Sequence, residues 1–154
     1  KENGPLQVFP GSHKGPIFNH HVNGVFVGGI DLKDSGYNLK DAKELNGTAG
    51  SMSIHHARLL HGSALNTSSS SRRLLFFEIL AADAYPIMGG FTKFINIEEF
   101  DKKMLCGETT NLARLEKIPI RIPEPRPKND KSIYEVQKGI TKTTFEKFEK
   151  RKIN

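Results

Sequence analysis

Between Gly4 and Gly62 the chain is a series of short extended segments set between turn formers. LQVF is closed off by PGSHKG, VFVGGI by DLKDSG, and SMSIHHARLL follows the turn-rich NGTAG. The segment RRLLFFEILAADA then alternates weakly and is rich in aromatic and branched residues, as a strand buried on both faces would be. Several short strands with Gly and Pro turns predict an all-β core, a sandwich or a barrel. Helices enter as additions. The middle stretch ending KDAKELNG supplies one short turn of helix or an irregular loop. NIEEFDKKMLCG predicts a helix over 96–107, capped by Asn96, favoured by Glu98, Glu99 and Asp101 at its positive end, and ended by Gly107.

The chain has 154 residues, enough for one domain with a buried core but not for two. The reading divides it into 1–90, the barrel portion, 91–116, a peripheral helical segment, and 117–154, a Pro-rich strap and basic tail. Pro119, Pro123, Pro125 and Pro127 keep the strap out of any central strand. The stretch from Ser132 to Ile153 is a weak helix candidate with Phe145 and Phe148 on one side, opposed by Gly139 and its threonines. No apolar run reaches the roughly 20 residues of a spanning helix, so no membrane partner is expected. The opening KENGPLQVFPG lacks the apolar core of a signal peptide, and with Lys1 at its head the sequence is expected to be a fragment of a longer protein. Cys106 is the single cysteine, which suits a reducing compartment; packing is its expected role and the cytoplasm the default location.

The net charge of +6 resembles a nucleic-acid signature until it is placed along the chain. Residues 1–116 hold twelve basic and twelve acidic side chains, whereas 117–154 hold eleven and five. The body is therefore neutral. The tail, KTTFEKFEKRK, reads as a solvated helix face, and no nucleic-acid partner is expected.

The densest chemistry lies between Ser53 and Phe77. His61 is expected to end one strand and Arg72, eleven positions on, to open the next. In an antiparallel barrel the two can face one cavity, one as a neutral imidazole ligand and the other as a carboxylate anchor. The adjacent pairs His20–His21 and His55–His56 cannot each clamp one ion from a strand, because successive side chains point to opposite faces. Counting by twos from His61 places Leu59, Ala57 and His55 on its face. Gly62 and Ser63 leave room for an ion and supply a hydroxyl, and Asn66 can order the turn through its own side chain. Arg72, Leu74, Phe76 and Glu78 share one strand face; Arg73, Leu75, Phe77 and Ile79 share the other. A guanidinium turned inward needs an anionic partner. Otherwise both arginines are exposed, or one pairs with Glu78 or Asp83. No His-x-Asp or His-x-Glu occurs anywhere, so two of the three ligands of a facial triad are missing.

The ordered series NGPLQVFPGSHKG and GSMSIHHARLLHGSALNTSSSSRRLLFFEILAADA resembles the C-terminal part of the catalytic core of the phytanoyl-CoA dioxygenase family, over about residues 3–85. The joint pattern is far more specific than any one piece. The resemblance implies an iron(II)- and 2-oxoglutarate-dependent dioxygenase on a double-stranded β-helix, a cupin-like jelly-roll barrel present in part. It implies His61 as the distal iron ligand, Arg72 rather than Arg73 as the anchor of the far carboxylate of 2-oxoglutarate, and Ser63 as its assistant. Leu74 and Phe76 would line the cavity. His13 is a feature of the turn without a catalytic role. In the family a His-x-Asp motif precedes the NGPL segment; its absence is expected to reflect truncation, leaving these residues alone a poor iron binder and the parent protein the enzyme.

The implied reaction consumes O2 and 2-oxoglutarate, yields succinate, and hydroxylates a small organic substrate whose identity the sequence does not carry. Two alternatives share His61 and Arg72. One is a non-catalytic barrel that binds a small dicarboxylate or a protein partner; the other is a halogenase-like relative. The strap and tail are free to cover the site or to serve a homodimer.

Overall fold

The structure, a computed structural model, describes residues 2–22, 25–85 and 96–119. These fall into two compact units, one of residues 2–19 and 30–75, the other of 20–22, 25–29, 76–85 and 96–119.

The first unit is built on β1 (Leu6–Val8), the centre of an antiparallel sheet in the order β4–β1–β5. On one side lies β4 (Lys43–Leu45), with Leu6 opposite Leu45; on the other lies β5 (His61–Ser63), with Leu6 opposite Ser63 and Val8 opposite His61. The β1–β5 pairing continues past both strands. Phe9 N–H donates to the Leu60 carbonyl at 3.0 Å, Ala64 N–H to that of Pro5 at 3.0 Å, and Thr67 N–H to that of Glu2 at 2.7 Å, with an Asn3–Asn66 bridge between. Pro5 has no N–H to give but its carbonyl is used. Gly4 sits inside this ladder at φ +70°, and a Cβ there would stand 2.6 Å from the Ala64 carbonyl oxygen.

The core of this unit is small. Val8 and Phe9 are buried, and the Phe9 ring tilts against Tyr37 at 4.9 Å, which meets Phe18 edge-on at 6.1 Å. Tyr37 is delivered by α1 (Leu32–Ser35), started by the Asp31 side chain accepting from Lys33 N–H at 2.9 Å and stopped by Gly36 at φ +74°. A 3-10 turn at Leu39–Asp41, capped by Asn38, supplies the single helical turn expected in the middle stretch.

In the second unit β2 (His21–Val22) pairs with β3 (Val25–Phe26). The rings of His20 and His21 lie 6.5 and 5.5 Å from that of Phe26. Asn96 caps α2 (Ile97–Asp101), accepting from Glu99 N–H at 2.8 Å. The helix stops at Asp101 rather than 107. It buries no side chain fully, and so short a helix gains too little from packing to propagate. Tyr85 packs edge-on against Phe100 at 5.0 Å.

Three expectations are corrected. The segment 71–80 forms no strand and is not buried: Leu75, Phe76, Phe77 and Ile79 are each at least three-quarters exposed, because no described residues pair with its backbone or cover its faces. Residues 51–60 are likewise not a strand, so His61 opens β5 instead of ending one. Cys106 is exposed rather than packed. The strap beyond Pro119 and the terminal helix candidate lie outside the described residues. Among those described, no helix is long and apolar enough to cross a membrane. The short strands and few helices make a β-rich fold.

Asp83 pairs with Arg114, not with Arg72 or Arg73. Arg114 Nε donates to Asp83 Oδ2 at 2.9 Å and Nη2 donates to Oδ1. This hydrogen-bonded guanidinium holds the Asp83 carboxyl below the usual carboxylate range. A carboxyl depressed in the folded state stabilises above its unfolded value, about 3.9, and that contribution disappears as pH falls through the folded value. Asp83→Asn is therefore expected to lower the urea midpoint slightly at pH 7, and less as pH falls below the usual carboxylate range, the effect being small because the pair is solvated.

Candidate functional site

His61 and Ser63 stand at positions i and i+2 of β5 and so share one face of the strand. The chain then turns through 64–71. Asn66 orders that turn: its Oδ1 accepts from Ser68 N–H at 3.0 Å and Ser68 Oγ at 2.7 Å, and its Nδ2 donates to the Ser70 carbonyl at 2.8 Å. The turn returns Arg72 to the strand it left. Arg72 Nη2 donates to Ser63 Oγ at 2.7 Å, and Nη1 donates to the Gly4 carbonyl. Arg72 is half-buried and Arg73 exposed.

Both partners of Arg72 are neutral oxygens. Among the described residues no carboxylate pairs with it, so its positive charge stays available to an anion. Its contact with Gly4 was not legible in advance. Gly4 itself sits at φ +70°, a conformation that glycine adopts freely.

His61 Nδ1 lies 2.7 Å from the Leu59 carbonyl oxygen. A carbonyl only accepts, so Nδ1 carries the proton. In the neutral ring Nε2 then keeps its lone pair, the form in which an imidazole binds a metal while its second nitrogen is held by the backbone. The His55 ring lies 5.2 Å from that of His61. Counting by twos put His55 on the same strand face as His61, several residues farther along; instead it is exposed and folded back beside His61. The chain turns at 56–59, where Leu59 N–H donates to the His56 carbonyl at 2.9 Å and Arg58 N–H to His56 Nδ1 at 3.1 Å.

The turn that presents His61 is held from outside by the PGSH segment. The Ser12 hydroxyl accepts from Leu60 N–H at 2.8 Å, Arg58 Nη2 donates to the Gly15 carbonyl at 2.6 Å, and the His13 ring tilts against His56 at 5.6 Å. Ser12 is 4% exposed, a buried polar group whose role the sequence reading missed. Among the described residues no three His, Cys, Asp or Glu side chains converge as a ligand set. His61 Nε2 is thus a single imidazole donor that would suit one position of a metal site.

Residues 1–74 match the family Phytanoyl-CoA dioxygenase (PhyH). The chain is 32% identical over 149 residues to a "probable alpha-ketoglutarate-dependent hypophosphite dioxygenase" of Stutzerimonas stutzeri, an alignment covering 94% of this chain and 51% of the relative. It is 32% identical over 81 residues to a phytanoyl-CoA dioxygenase of Arabidopsis thaliana, covering 53% of this chain and 29% of that relative. No solved structure matches significantly. Residues 1–74 belong to the phytanoyl-CoA dioxygenase family, and the chain spans about half the length of the first of these relatives and under a third of the second.

Proposed function

We propose that the full-length protein is an iron(II)- and 2-oxoglutarate-dependent dioxygenase, and that these residues supply part of its jelly-roll barrel, one iron ligand and the cosubstrate anchor. The observation that carries this reading is a half-buried guanidinium without a carboxylate partner among the described residues, bonded to Ser63 on the strand face that also bears His61. The similarity to a relative named as alpha-ketoglutarate-dependent supports it.

His61 would ligate iron through Nε2, with the Nδ1 proton held on the Leu59 carbonyl. Two further donors would come from a His-x-Asp or His-x-Glu motif outside these residues. Arg72 would grip the far carboxylate of 2-oxoglutarate through its fork, and Ser63 would hold the guanidinium in place while its own hydroxyl proton turns to the same carboxylate. Iron, O2 and the cosubstrate supply the oxidising chemistry, with succinate and CO2 as coproducts; the protein's share is position and exclusion of water. The substrate is a small molecule. Hypophosphite is the first to assay, because the relative named for it aligns with almost the whole chain.

The test is succinate release by the full-length protein supplied with iron(II), 2-oxoglutarate and O2, with and without hypophosphite. The expected result is iron-dependent succinate production that one substrate raises at least tenfold. A folded, iron-supplied protein that never consumes 2-oxoglutarate with any candidate substrate would instead be a binding barrel.

A further inference from the structure

The peptide between Leu59 and Leu60 is bonded at both ends. Its N–H donates to the buried Ser12 hydroxyl at 2.8 Å, and its carbonyl accepts from His61 Nδ1 at 2.7 Å. These are two sides of one amide, whose resonance couples them. An acceptor on the N–H draws charge toward the carbonyl oxygen and makes that oxygen a stronger acceptor. The following peptide is held as well, since the Leu60 carbonyl accepts from Phe9 N–H at 3.0 Å. Ser12 is in turn anchored, its own N–H donating to the Phe9 carbonyl at 3.1 Å.

We infer that Ser12 is a positioning residue for His61: acting through the Leu59–Leu60 amide, it holds the imidazole in the Nδ1–H tautomer and presents Nε2 outward. It touches neither substrate nor metal. The unassisted imidazole prefers the opposite tautomer in water, so an exposed ligand histidine gains from such a device. The importance of that presentation rests on the proposed iron role of His61, but the tautomer itself is a property of the metal-free chain and is measured without iron.

The experiment is nitrogen-15 NMR of the imidazole rings in the metal-free full chain at a pH where His61 is neutral, for wild type, Ser12→Ala and Ser12→Thr. The wild type is expected to show His61 with a protonated Nδ1 and a bare Nε2. Ser12→Ala should reduce the Nδ1–H to Nε2–H ratio, by at most about fivefold, the effect of losing one net hydrogen bond outright, while cross-strand contacts between β1 and β5 persist. Ser12→Thr, which keeps the hydroxyl, should restore it. An Ala variant that loses those contacts is replaced by Ser12→Cys, whose sulfur is a weak acceptor, with the same expected shift. A wild type already dominated by Nε2–H, or a folded Ala or Cys variant with an unchanged ratio, would overturn the inference. Failure of iron binding with the tautomer shift intact would count against the proposed function alone.

Discussion

Arg72→Ala is expected to weaken 2-oxoglutarate binding by the full-length protein by about 30- to 1,000-fold, the range for removing one partner of a desolvated charge pair. Iron(II) affinity should move only a few-fold, because Arg72 bonds to Ser63 and Gly4 and not to His61. The exposed Ser63 hydroxyl rehydrates when it loses its donor, whereas the Gly4 carbonyl belongs to a buried residue, so a stability cost of about 1–3 kcal/mol is expected. Arg72→Lys should recover part of the affinity, since it keeps the charge and loses the planar fork. Calorimetric titration of 2-oxoglutarate into the iron-loaded wild type, Ala and Lys proteins under argon reads the three cosubstrate affinities. An Ala variant that binds the cosubstrate like wild type would remove Arg72 from the site.

Gly4→Ala is expected to be the most destabilising single methyl in the described chain. At φ +70° any side chain is strained, and the new Cβ would meet the Ala64 carbonyl oxygen at 2.6 Å and the Asn66 nitrogen at 2.9 Å, both backbone atoms of the paired segment. Left-handed strain and overpacking together suggest about 2–5 kcal/mol. Relief would require the 2–9 and 60–68 segments to separate, which also carries the Gly4 carbonyl away from Arg72. Gly11→Ala is the control: its φ is +82° but nothing lies within 4 Å of its would-be Cβ, so it carries the backbone term alone, about 1–2 kcal/mol. Urea denaturation of the two variants separates strain from clash. Equal losses would show that the β1–β5 ladder yields freely at Gly4.

What the sequence made legible was local or came from joint motifs. The Asn96 cap, the single turn at 39–41 and the Asn66 turn follow from side chains bonding their own backbone, and the structure shows all three. The edge strand β4 was missed because KEL has no alternating pattern and is exposed throughout; pairing with β1 alone makes it a strand. Residues 54–60 look strand-like, yet His56 and Arg58 bind back to the chain and to Gly15, a contact 43 positions away that no local pattern announces. The apolar run at 74–80 has the composition of a buried strand, but burial needs neighbours on both faces and the described residues supply none. At the site, the spacing of His61, Ser63 and Arg72 was readable. Gly4 and Ser12 were not, because one acts through a carbonyl and the other through a neighbouring amide.

The central claim is that His61 ligates iron beside a 2-oxoglutarate anchored by Arg72. Its most direct test is anaerobic titration of the full-length protein with iron(II) and 2-oxoglutarate, following the visible metal-to-ligand absorption band in wild type and His61→Ala. The account predicts a saturable band in wild type and none in the variant, with both proteins folded. A band of equal strength in His61→Ala, or no band from a folded wild type, would contradict it.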